Sequence, residues 1–129
     1  MLKGIYAGSF DPVTLGHLDI IKRASGIVDQ LVVAVLENPN KRPLFTTEER
    51  KKHLELVTKE IENVEIASFQ GLLVEFAKEI GATVAIRGLR NSADFASEFQ
   101  MHLINRKLYG AIETIFLAAD EEHLALSST

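Results

Sequence analysis

The chain has 129 residues, 47% of them apolar and 25% charged, which suits one domain with a sizeable core. Its net charge of −4 offers no basic field to attract nucleic acid or a lipid surface, and the absence of cysteine excludes a disulfide framework and thiolate metal sites. No apolar run is long enough for a signal peptide or a membrane span, so the expectation is a cytoplasmic protein with neither nucleic acid nor membrane as partner.

Ile5–Ala7 reads as a short first strand, followed by a helix with Leu18, Ile21, Ala24 and Val28 at helical spacing. Leu31–Leu36 is a continuous apolar run, as in a strand covered on both faces. Thr46 and Glu49 form a capping-box pattern that opens a second helix, with Leu54, Val57 and Ile61 on one side. Val64–Ala67 is a third strand. Leu72, Leu73, Phe76, Ala77 and Ile80 mark a helix stopped by Gly81. Thr83–Ile86 is a fourth strand. From Asn91 to about Leu108 the spacing predicts a helix whose Phe95, Phe99 and Leu103 turn inward. Asp94, Glu98, His102 and Arg106 form a polar stripe one position away, and Glu113–Leu117 is a fifth strand.

This alternation predicts βαβ units: an α/β fold with a single doubly wound, Rossmann-like domain over residues 1–129 and a five-stranded parallel sheet. Such sheets bind ligands beyond the carboxyl ends of their strands, where the strand order reverses. Ser9 and Phe10 follow strand one, Asn38–Lys41 strand two, Gln70–Leu73 strand three, Arg87–Arg90 strand four and Ala118–Thr129 strand five. Every polar block therefore falls on one edge of the sheet.

The stretch Gly8-Ser9-Phe10-Asp11-Pro12-Val13-Thr14-Leu15-Gly16-His17 is the most informative. A helix start presents N–H groups without intrahelical partners, and the macrodipole adds partial positive charge, so a phosphate can settle there. Gly16 permits close approach, and His17 adds a donor that can follow charge moving on phosphorus. The same residues also read more simply, with Thr14 as a helix cap and His17 on the surface. Lys41, in a Pro-flanked loop, is either a clamp on phosphate or a solvated lysine. Arg87 and Arg90 bracket Gly88 and Leu89, close enough to grip one anionic ligand bidentately or to pair with Asp94 and Glu98.

Gly8–Pro12 followed by Thr14-Leu15-Gly16-His17 resembles the opening of the nucleotidyltransferases with an (H/T)-x-G-H motif, and among them the bacterial phosphopantetheine adenylyltransferases. Asn38–Thr46 with Glu48-Glu49-Arg50 is similar to that family's second block. Arg87–Arg90 with Ala93-Asp94-Phe95 and Glu98 is similar to its third, and Asn105-Arg106 and Thr114–Leu117 continue the likeness. The resemblance implies an enzyme that transfers adenylyl from ATP to 4′-phosphopantetheine, giving dephospho-coenzyme A and pyrophosphate. It implies catalytic roles for His17, Lys41 and Arg90. ATP contacts would come from Ser9, Phe10, His17, Gly88, Leu89, Arg90, Glu98, His123, Ser127, Ser128 and Thr129. Phosphopantetheine contacts would come from Ser9, Lys41, Leu73 and Arg87. It also implies Mg2+ held by substrate oxygens and water rather than by a carboxylate cage, and a homohexamer.

The chain departs from the family where His123 replaces an aromatic residue and Leu15 a usual Asn. Relatives continue past Ser127-Ser128-Thr129 for roughly three helical turns or more, so either a C-terminal helical segment is missing from this sequence or, if Thr129 is the true end, ATP binding is expected to be weakened while the phosphopantetheine half survives. The competing expectations are a related transferase, acting on nicotinate mononucleotide or using CTP, and a nucleotide-binding module without turnover.

Overall fold

The continuous apolar run at residues 31–35 is buried throughout because both sides of its strand are covered. Leu31, Val33 and Val35 join one core cluster, and Val32 and Ala34 join another. The computed structural model describes residues 1–40, 42–89, 99–100, 102–104, 106–108, 110 and 112–118. Strands β1 (Lys3–Gly8), β2 (Gln30–Leu36), β3 (Val64–Phe69), β4 (Val84–Leu89) and β5 (Glu113–Ala118) form one five-stranded sheet in the order β3-β2-β1-β4-β5. Every pairing is parallel, so all strands end on the same edge. Helices α1 (Leu15–Ser25), α2 (Thr47–Thr58) and α3 (Leu73–Ile80) connect them. Ile20, Ile21 and Ala24 of α1 and Leu54 of α2 cover one face, while Val74 and Ala77 of α3 cover the other. This is the doubly wound α/β architecture expected from the alternation.

Each strand is longer than its apolar pattern suggested, and the difference matters most at β4. The ladder carries this strand to Leu89, so Arg87, Gly88 and Leu89 are strand residues paired with Phe116, Leu117 and Ala118 rather than residues that follow the strand. In α2 the buried stripe is Arg50, Leu54 and Thr58, each four residues apart, whereas Val57 is exposed and Ile61 packs from the turn after the helix. A larger correction concerns the stretch before β5, where residues 99–100, 102–104 and 106–108 are helical. Phe99 and Leu103 are exposed rather than turned inward. The polar stripe meets the sheet instead, with His102 Nδ1 2.9 Å from Thr114 Oγ1 and Arg106 bonded to Glu113.

Helix α3 ends as its glycine predicts. Gly81 adopts φ 77°, a left-handed conformation, and its N–H caps the last turn. A Cβ at this position would meet nothing within 4 Å, so crowding plays no part in the choice of residue. Gly81→Ala should therefore lower stability by about 1 kcal/mol through backbone strain alone. Urea unfolding checks this, with an unchanged m-value expected and an undiminished midpoint as the contrary result.

Candidate active site

The sheet opens between β1 and β4. β1 stays paired with β2 as far as Gly8↔Val35, and β4 stays paired with β5 as far as Leu89↔Ala118, but the β1–β4 ladder stops at Tyr6↔Ile86. This is the position where the strand order reverses, and it leaves a crevice at the carboxyl edge. Arg87 Nη1 donates across the split to the Ala7 carbonyl at 3.2 Å, so the guanidinium stands where the ladder has ended. Gly88 is exposed, and a side chain there would contact Ile20 of α1 at 3.4 Å.

On the β1 side the chain turns sharply at Ser9 and Phe10. Phe10 holds φ 47°, a left-handed backbone conformation that costs about 1–3 kcal/mol for a residue with a side chain. Its ring is buried and sits edge-on to Tyr6 and to His17, with centroids 5.4 and 4.9 Å away. Gly8 makes room for that ring, since a Cβ there would lie 3.3 Å from its tip. Of the predicted pair, Ser9 is exposed at the rim while the Phe10 side chain belongs to the core, which leaves its backbone as the part that can meet a ligand. Burial pushes the Tyr6 hydroxyl up to about 12, opposed by the nearby Arg87 charge.

The Thr-x-Gly-His string closes a capping box. The His17 N–H donates to Thr14 Oγ1 at 3.2 Å, and the Thr14 N–H donates to His17 Nδ1 at 3.0 Å. Histidine here fills the position usually taken by Glu or Gln. The cap of the simpler reading is thus present, with His17 half-buried rather than on the surface. Because Nδ1 accepts, the neutral ring carries its proton on Nε2, which remains available as a donor. Burial lowers the His17 pKa below its ordinary 6.5, favouring that neutral form. Gly16 has no comparable structural reason, because a Cβ would meet only Thr14 Oγ1, at 3.6 Å. A glycine in a helix costs up to about 1 kcal/mol relative to alanine, so packing does not account for its choice.

Two residues beyond the expected set shape this edge. Asp11 accepts from the Leu44 N–H at 2.7 Å and the Phe45 N–H at 2.9 Å, tying the loop after β2 to the loop after β1. Arg50, buried in α2, donates to the Ser9 carbonyl at 2.9 Å. An arginine on the same helical stripe as Leu54 was the available signal, although periodicity alone does not say what it would reach. Leu73 opens α3 and is half-buried against the second core cluster. Lys41, Arg90, Glu98, His123, Ser127, Ser128 and Thr129 lie outside the described residues, as do Asp94 and Phe95.

A parallel sheet split at its reversal point, with a capped helix start on one side and an arginine on the other, defines the doubly wound class of ligand-binding α/β proteins. Residues 5–129 match the cytidylyltransferase-like family model. A lipopolysaccharide core biosynthesis protein from Thermoplasma volcanium shares the fold, with a TM-score of 0.65 at 23% identity over 93% of this chain and 97% of that one. Two proteins named phosphopantetheine adenylyltransferase are much nearer in sequence. That of Caldanaerobacter subterraneus is 55% identical over 100% of this chain and 81% of its own length. That of Alkaliphilus metalliredigens is 50% identical over 100% of this chain and 82% of its own. The chain belongs to the phosphopantetheine adenylyltransferase family of nucleotidyltransferases, and neither the related transferases nor a module without turnover is favoured.

Proposed function

We propose that this chain joins ATP to 4′-phosphopantetheine in the crevice between β1 and β4. A phosphate oxygen of 4′-phosphopantetheine attacks the α-phosphorus of ATP in line, the bond to the β-phosphate oxygen breaks, and pyrophosphate leaves with dephospho-coenzyme A as the other product. No covalent enzyme intermediate is needed, because the enzyme's task is to align two anions and offset their charge. His17 would donate from Nε2 to an α-phosphate oxygen as charge grows there, while Thr14 holds its ring by Nδ1. The exposed Ser9 hydroxyl would contact both phosphate groups, and Arg87 would bind the phosphopantetheine side of the crevice. Family likeness gives Lys41 and Arg90 the remaining clamps on phosphate. It also gives the ATP contacts to Gly88, Leu89, Glu98, His123 and Ser127–Thr129, and a pantetheine contact to Leu73.

Among the described residues, no group of three or more His, Asp or Glu side chains is placed to hold a metal ion. The Asp11 carboxylate is engaged by the Leu44 and Phe45 N–H groups. This donor set suits a Mg2+ ion held by triphosphate oxygens and water, where it would shield negative charge. Phe99 and Leu103, four residues apart on one side of their helix, are exposed apolar surface for other copies to cover, in keeping with the homohexamer that family likeness implies. Among the described residues no helix is long and apolar enough to cross a membrane, and a reaction between two water-soluble anions fits a cytoplasmic setting.

The observation that carries this reading is the placement of Ser9, His17 and Arg87 around one split in the sheet. Incubating the protein with ATP, Mg2+ and single acceptors should release pyrophosphate with 4′-phosphopantetheine and not with nicotinate mononucleotide or glycerol phosphate. Release confined to one of the other acceptors would overturn it.

A further inference from the structure

Arg50 is 5% exposed, and its guanidinium reaches three separate segments. Nη1 donates to the Ser9 carbonyl at 2.9 Å and lies 3.5 Å from the Leu36 carbonyl at the end of β2. Nε donates to the Thr46 carbonyl at 3.4 Å, and Nη2 to Thr47 Oγ1 at 3.2 Å at the start of α2. All these partners are neutral oxygens, and Arg50 forms no ion pair among the described residues.

A buried cation without a counter-ion is an expensive way to fill space. An apolar side chain of similar length would remove the unpaired charge but leave the Ser9, Leu36 and Thr46 carbonyls without this donor. Arg50 shares its stripe with Leu54 and Thr58, so an apolar residue would suit the helix. What the arginine does that an apolar chain could not is donate to these oxygens, and of them the Ser9 carbonyl lies at the crevice rim. Ser9 immediately precedes Phe10, whose left-handed backbone persists only when its surroundings hold it. The Asp11 carboxylate makes a second tie, from the same loop after β1 to Leu44 and Phe45 just ahead of α2. Together they fix the direction in which the exposed Ser9 hydroxyl and the adjoining peptide face the crevice.

We infer that Arg50 is a positioning residue for adenylyl transfer, which anchors the Ser9–Phe10 rim to α2 and sets buried positive charge behind the place where two anions meet. The role in turnover rests on the reaction proposed above. The rim itself can be tested without it, using inorganic tripolyphosphate as a probe of anion binding.

Arg50→Met keeps length without charge, and Arg50→Lys keeps charge without the planar fork. In Arg50→Met, kcat should fall about tenfold or more and tripolyphosphate should bind more weakly by about fivefold or more, while Tm falls by several degrees because carbonyls lose their donor, with the protein still folded. Arg50→Lys should recover most of the anion affinity yet leave kcat depressed, a split that loss of folded protein would not produce. Should Arg50→Met fail to fold, Arg50→Lys decides, through depressed kcat at near-parental Tm. Parental kcat and parental tripolyphosphate affinity in a folded variant would overturn the proposal. A parent inactive toward 4′-phosphopantetheine would instead remove the proposed reaction, and the tripolyphosphate comparison would still report on Arg50.

Discussion

His17→Ala should lower turnover by about 10²–10³-fold with little change in substrate affinity, because the lost donor acts on charge that grows only as phosphorus is attacked. The same change removes the acceptor for the Thr14 N–H and should cost about 0.5–1.5 kcal/mol of stability. His17→Gln separates the two roles. A Gln at the third helical position can accept from the Thr14 N–H as the imidazole does, so stability should return while turnover stays low. Paired measurements of kcat and urea midpoint check this, and a fully active His17→Gln protein would exclude the imidazole from the chemistry. The pH dependence carries a definite sign. Burial lowers the folded pKa of His17 below its ordinary 6.5, so the unfolded chain takes up the proton first as the solution is acidified. The stability His17 contributes is therefore complete above 6.5 and is lost as pH falls from there through the lowered folded value. His17→Gln should lack that component of acid sensitivity.

Phe10→Ala is expected to have the largest effect on stability. The ring is 2% exposed, fills the space left by Gly8, and meets the edges of Tyr6 and His17. Removing it should cost about 3–5 kcal/mol, a large share of the about 5–15 kcal/mol that holds a domain together. For a chain of this size that corresponds to a fall in Tm of roughly 10–20 °C. The replacement brings no relief of backbone strain, since alanine at φ 47° is still left-handed with a Cβ. Water admitted beside His17 should also relax the desolvation that lowers its pKa, moving it up toward 6.5. Thermal melts and an NMR titration of the imidazole would test both parts. A Tm within a few degrees of the parent would show that the ring is not the keystone of this turn.

Features set by near neighbours in the chain were legible beforehand. The Thr14 cap, the capping box at Thr46–Glu49 and the glycine stop at Gly81 depend on contacts three to five residues apart, which a linear string displays directly, whereas the reciprocal bond from His17 to Thr14 appeared only in the structure. The buried run of β2 was equally plain, because burial on both faces needs only continuous apolar character. From these the alternation of strand and helix followed, and with it the gathering of polar blocks at one sheet edge. Thr-x-Gly-His also announced its helix start, although its histidine proved to be both cap and candidate donor.

What remained hidden depends on which elements become neighbours. Helical periodicity identifies a stripe but not what faces it, which is why His102 meets β5 while Phe99 and Leu103 are exposed. The place where β1 and β4 part is a property of two strands nearly eighty residues apart, so it could not be read locally. That separation makes Arg87 a strand residue reaching across a gap to Ala7 rather than one beyond the strand's end. Arg50 shows the same limit, since an arginine among apolar neighbours becomes an anchor only once the Ser9 carbonyl is brought to it. Local pattern determined the elements, the caps and the edge on which the chemistry would lie. The tertiary structure decided how the crevice opens and which buried groups hold its rim, because those depend on long-range pairing that no short stretch of chain encodes.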